Sequence, residues 1–241
     1  MSLRRFFQRL LFLLLIIFLS IGFFQNPLTV LAAQSTKSLF NQALQLSNAG
    51  NFPEALKLWD QIVEKSPENA AALSNRGNVR LALGDSSGAI LDQTKAMQIL
   101  PESPDPHLNR GIAEESLKLW EDAENDYQWI LKRNPEDPSA LYNLGNLRAS
   151  NGRWDKAQLL YQKASLARPS FVLALSSKAL ADYQLGNLEE AESEFRKIIR
   201  KYPMLPDARA GLTAILWRHS SIGEAESNWA AVAGLDSRYK Q

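Results

Sequence analysis

From Leu10 to Phe24 the chain is apolar at every position except Ser20 and Gly22. Beyond residue 35 apolar residues recur instead at every third or fourth position, in short segments separated by polar turns. Such spacing predicts amphipathic helices, because apolar residues in a half-buried strand would alternate. Residues 139–150, SALYNLGNLRAS, read as one helix and Asn151-Gly152-Arg153 as a break. From Trp154, WDKAQLLYQKASLA reads as a second helix that stops before Pro169. Glycine at a helix end and proline just beyond it are the expected stop signals.

The pattern repeats. Pro67, Pro101, Pro135, Pro169 and Pro203 fall 34 residues apart, and so do Ala55, Ala89, Ala123, Ala157, Ala191 and Ala225. Six units follow in register: 36–69, 70–103, 104–137, 138–171, 172–205 and 206–239. Gly50, Gly84, Gly152 and Gly186 mark the turn inside a unit, and Lys118 and Ser220 stand there in the third and sixth. A two-helix unit cannot bury its apolar face alone, so neighbours must stack and share a core.

These positions resemble the tetratricopeptide-repeat (TPR) family. Small residues stand at Ala43, Gly77, Gly111, Gly145 and Ala179, and aromatic residues at Trp59, Tyr127, Tyr161, Phe195 and Trp229. The resemblance implies an all-α, right-handed superhelical solenoid of six helix pairs over residues 34–239, with 240–241 as the C-terminal end. Repeat six departs from the pattern, with Thr213 at the small-residue position and Ser237 in place of proline. The tail GLTAILWRHSSIGEAESNWAAVAGLDSRYKQ is similar to the final repeat of TPR proteins from cyanobacteria and the plant thylakoid lumen.

Asparagine keeps the same period. Asn41, Asn75, Asn109 and Asn143 stand in register, followed by Ser177 and Gly211. On a helix Asn75 and Gly77 point about 200° apart, so they serve different surfaces: Gly77 faces the partner helix, and Asn75 lies near the opposite side. In TPR proteins the first helix of each pair lines the concave groove, so the resemblance implies that these asparagines face it, with Asn78 and Asn146 in range. The register is similar to the asparagine ladder in the TPR domain of O-linked N-acetylglucosamine transferase. An amide can pair with both the C=O and the N–H of an extended peptide. The same register also fits an ordinary solvated face. Four such asparagines supply roughly 2 to 6 kcal/mol where micromolar binding needs about 8, so side-chain anchors are required. Tyr142, Phe40 and Leu108, one position before the ladder, are the candidates. The clamp that other TPR domains use for acidic chaperone tails does not fit. Asn78 and Asn109 suit its asparagine places, but Ser74, Ser139 and Asn143 stand where its cations belong.

The N-terminus changes the picture of location. Arg4, Arg5 and Arg9, the apolar run of 15 residues and then Val30-Leu31-Ala32 follow the order of a secretory leader, giving residues 1–33 as a signal peptide cleaved after Ala32 or Ala33, or as a retained signal anchor. Either reading places the folded part outside the cytoplasm, in a periplasm or thylakoid lumen. Setting those arginines aside leaves 24 basic against 26 acidic side chains, too balanced to attract nucleic acid or hold a membrane surface. Cysteine is absent, which removes thiol nucleophiles and sulfur-ligated metal. His107 and His219 are too far apart for metal-ligand spacing, and Glu114-Glu115 and Glu189-Glu190 read as solvated helix faces. No enzyme activity, cofactor or metal is expected. The reading is an exported scaffold that binds an extended peptide or partner subunit in its groove and assists assembly of membrane complexes. The alternative is a membrane-anchored structural subunit associating through its outer face or its C-terminal end. There Trp229, Val232 and Leu235 lack a covering helix, and a homodimer or partner would cover them.

Overall fold

The computed structural model describes residues 27–235, with side chains from Thr36 to Val232. The arginine-flanked apolar run, the C-terminal residues 236–241 and the Leu235 side chain lie outside the described residues.

Twelve α-helices and no strand occur among the described residues. The first pair is α1 (Pro27–Asn48) and α2 (Phe52–Lys65). It belongs to a compact unit that ends at Pro67. The expected junction after Ala32 or Ala33 falls inside α1, which runs unbroken into the first repeat. Within this unit Phe40 meets Trp59 edge-on, with ring centroids 4.9 Å apart, and the Trp59 Nε1–H donates to Ser47 Oγ at 3.0 Å.

The second unit, from Glu68, holds five pairs. These are α3 (Ala70–Ala82) with α4 (Ser86–Ile99), α5 (Pro104–Ser116) with α6 (Trp120–Arg133), and α7 (Pro138–Ser150) with α8 (Trp154–Ala167). Next come α9 (Val172–Leu185) with α10 (Leu188–Lys201) and α11 (Pro206–Arg218) with α12 (Ile222–Leu235). Side-chain caps start several of them: Asn69 accepts from Ala72 N–H, Asp85 from Gly88 N–H, and Asp137 from Ser139 and Ala140 N–H.

Within this second unit each helix packs on the next. Three pairs of successive first helices also touch, α3 with α5, α5 with α7 and α9 with α11, whereas among the described residues no two second helices pack to that extent. The unit therefore curves with its first helices on the inner side. The alanine series is buried throughout, and Ala179, Ala191, Phe195, Ala208, Leu212 and Ala225 join one core that runs through α9–α12. The small first-helix residues do what the spacing predicts. A Cβ on Gly111 would lie 2.6 Å from the Tyr127 ring and one on Gly145 2.6 Å from the Tyr161 ring, so each aromatic of repeats three and four fills the slot left by its own repeat's glycine.

The last pair differs from expectation. Val232 is fully buried and Trp229 half-buried, 6.0 Å from the ring of Trp217. The second helix turns those residues inward, and the exposed apolar side chains there are Trp217 and Ile222.

Candidate functional site

Between α3 and α5 lies a pocket of about 330 Å³ on the inner face. Its wall carries Ser74, Asn75 and Asn78 from α3 and Asp105, Pro106 and Asn109 from the start of α5, with Leu100 and Ser103 from the loop between repeats. The helical spacing of 74, 75 and 78 brings them to one side of α3. The asparagines are anchored within the protein. Asn75 Nδ2 donates to Ala71 O at 2.8 Å, Asn109 Nδ2 approaches Ser74 Oγ at 3.4 Å, and Asn78 Oδ1 accepts from Gln93 Nε2 at 3.0 Å.

The other residues expected to line a groove are not on the wall of this pocket. Asn41 is exposed on α1, in the first unit. Asn143 on α7 is half-buried and outside the pocket, and the nearby Asn146 accepts from Tyr161 O–H at 2.8 Å. The side chains proposed as anchors are already engaged. Tyr142 sits between Tyr161 and Phe171, with centroids 5.7 and 5.0 Å away, Phe40 rests on Trp59, and Leu108 packs on the cluster around Tyr127. In repeats one, three and four the position before the asparagine therefore packs on neighbouring helices, whereas in repeat two it is Ser74, on the pocket wall.

Reading Glu114-Glu115 as a solvated face is corrected. Glu114 is 5% exposed, its Oε1 lies 3.4 Å from Arg110 Nε, and its Oε2 has no partner. Burial, and then the negative charge of Asp126, pushes its carboxyl up to about 7 despite Arg110. Glu115 accepts from Tyr127 O–H at 2.5 Å, and burial raises its carboxyl too. Beside them Asp126 receives a fork from Arg110, at 2.7 and 2.8 Å, and lies 2.7 Å from His107 Nδ1. His107 is buried and stacks on Trp129, with centroids 3.7 Å apart. His219 sits at the end of α11, with its Nδ1 3.4 Å from Glu192 Oε2.

This cluster has counterparts. In repeat two, Arg76 and Arg80 both reach the buried Asp92, and in repeat five Lys178 bridges Asp182 and Glu194 at 2.9 and 2.8 Å. Repeat four places Leu144 and Leu160 at the two positions held by Arg110 and Asp126 in repeat three. The exchange of ion pair for leucine pair marks these charges as interior packing between the helices of one unit. No three His, Asp or Glu side chains converge as metal ligands would, among the described residues.

The helix pairs, their glycine-to-ring contacts and their 34-residue period agree with a family model for the tetratricopeptide repeat, which matches residues 40–104, 108–171 and 146–206. The chain belongs to the TPR family. Human DnaJ homolog subfamily C member 3 is 32% identical over 39% of this chain and 18% of its own length. A TPR and J domain-containing co-chaperone of Fusarium oxysporum, DNJ1, is 23% identical over 74% of this chain and 36% of its own. The chain thus spans only about a fifth to a third of these TPR relatives. A TPR protein from Parabacteroides merdae has the same fold, with a TM-score of 0.66 and 23% identity over 84% of this chain and 80% of that one. TPR proteins are interaction scaffolds, and a groove lined by first-helix amides fits that role.

Proposed function

We propose that this chain is an exported, non-enzymatic scaffold that holds an extended segment of a partner protein across the first helices of repeats two and three, assisting assembly of membrane complexes. The observation that carries this reading is the inner-face pocket on which Ser74, Asn75, Asn78 and Asn109 converge. Amides there supply hydrogen bonds that any extended chain can use, and Asp105 at the rim favours a partner that carries a basic side chain. The co-chaperone relative supports a role in handling other proteins, though by name it concerns that protein. Export to a periplasm or thylakoid lumen rests on the order of charges, apolar run and small residues in 1–33 and on the tail's likeness to lumenal TPR proteins.

Selection of a random 12-residue peptide library against the full chain tests the reading. The double variant Asn75→Ala, Asn109→Ala, with an unchanged circular dichroism spectrum, is expected to bind the selected peptide about 5- to 100-fold more weakly, the worth of two hydrogen bonds. Unchanged affinity would refute the groove and move attention to Trp217 and Ile222, 51% and 58% exposed on the last pair. Those residues carry the second reading, a membrane-anchored subunit that associates through its C-terminal end.

A further inference from the structure

The aromatic register of the repeats has one interior exception. Trp59, Tyr127, Tyr161, Phe195 and Trp229 keep the period of 34, but repeat two carries Gln93. Gln93 is 1% exposed and its Oε1 has no partner, a costly arrangement for a buried acceptor. A ring would fit there, because Gly77 opens the same slot: a Cβ on it would lie 2.8 Å from Gln93 Nε2.

The amide has a specific use. Gln93 Nε2 donates to Ser74 O at 2.9 Å and to Asn78 Oδ1 at 3.0 Å. A main-chain carbonyl can only accept, so Ser74 decides which end of the Gln93 amide is nitrogen. The second hydrogen on that nitrogen then requires Asn78 to present its oxygen inward. Asn78 also lines the pocket, so the group it has left to offer there is its NH2, which can only donate. Asn75 is set the other way, because its Nδ2 is committed to Ala71 O and its Oδ1 is left as an acceptor. Residues three apart on a helix are neighbours on one face.

We propose that Gln93 is a positioning residue: it holds Asn78 as a donor beside the acceptor of Asn75, so that the pocket reads an N–H and a C=O lying side by side on the partner, in one polarity. This deepens the groove reading and rests on it. One residue of an extended strand presents both groups on the same edge. An Asn or Gln carboxamide carries both on one carbon.

The test uses the full chain and its phage-selected 12-residue peptide. Gln93→Phe copies the side chain of Phe195 and removes the hold on Asn78. It is expected to weaken binding about three- to tenfold, the worth of one hydrogen bond, with a melting temperature at or above wild type. Gln93→Tyr supplies a hydroxyl as Tyr161 does for Asn146, and is expected to bind within about twofold of wild type. Asn78→Asp turns the outward donor into an acceptor and is expected to lose more than about tenfold. If Gln93→Phe binds like wild type while the Asn75/Asn109 double variant is impaired, positioning is refuted and the groove stands. If no variant changes affinity, both fall. Failure of Gln93→Tyr to restore what Gln93→Phe loses also refutes positioning. A readout without peptide is side-chain NH2 exchange with water by NMR: Gln93 is expected to be slow and Asn78 fast, and the reverse order overturns the proposal. Amide-to-ester replacement along the peptide and substitution of its Asn or Gln side chains separate the two sources, and loss at neither overturns it.

Discussion

Lys118 and Ser220 hold φ angles of 61° and 58°, the left-handed conformation that Gly50, Gly84, Gly152 and Gly186 adopt at the corresponding turns. A side chain there costs roughly 1 to 2 kcal/mol, partly offset because glycine loses more freedom on folding. Lys118→Gly and Ser220→Gly are each expected to stabilise the chain by about 0.5 to 1 kcal/mol in urea unfolding, and destabilisation would show that these side chains make contacts worth more than the strain. The period of 34 exposed both positions in the sequence because a turn residue is judged by register alone. It also exposed the close approach at Gly77, Gly111 and Gly145. The roles of Tyr142, Phe40 and Leu108 were not legible: a half-turn of rotation decides between groove and interior, and angles counted from the sequence place a long ring too coarsely to separate the two. Gln93 was visible as a break in the aromatic register, but its meaning required the position of Ser74 O.

At the scale of helices, α5 and α6 enclose a charged interior that binary patterning hides, since a pattern of polar and apolar letters assigns every glutamate to solvent. Only comparison of repeats reveals it, where Arg110 and Asp126 trade places with Leu144 and Leu160. The consequence is a pH dependence of stability. Glu114 titrates near 7 in the folded chain against an ordinary value near 4.5, because burial and then Asp126 disfavour its charge, and Arg110 only partly compensates. Between those values the folded state holds a proton that the unfolded state has released, so stability is fully present below about pH 4.5 and falls as pH rises toward 7. The loss approaches about 3 kcal/mol. Glu114→Gln is expected to flatten this slope and to exceed wild type in stability at pH 8. Parallel pH profiles for the two proteins would contradict the assignment.

At the scale of the whole molecule, the second unit is five helix pairs whose first helices gather on the inner side, where polar side chains line a cavity. A stack of such pairs offers the length and shape that the proposed scaffold role uses. The fold was legible because repetition multiplies weak signals: an alanine or proline means little once and a great deal five or six times over. The site was only partly legible, because it depends on differences between repeats, which the averaging that reveals the family removes. Of the four laddered asparagines, Asn75 and Asn109 share the pocket, while Asn41 and Asn143 do not line it. Photo-crosslinking locates the partner on the chain, with benzoylphenylalanine placed at Ala71, on the pocket wall, or at Leu166, 72% exposed on the second helix α8. In the native host, attachment of one continuous segment of a partner protein at position 71 and none at 166 is the predicted result. Attachment at 166 with none at 71 would rule out the inner-face pocket as the binding site.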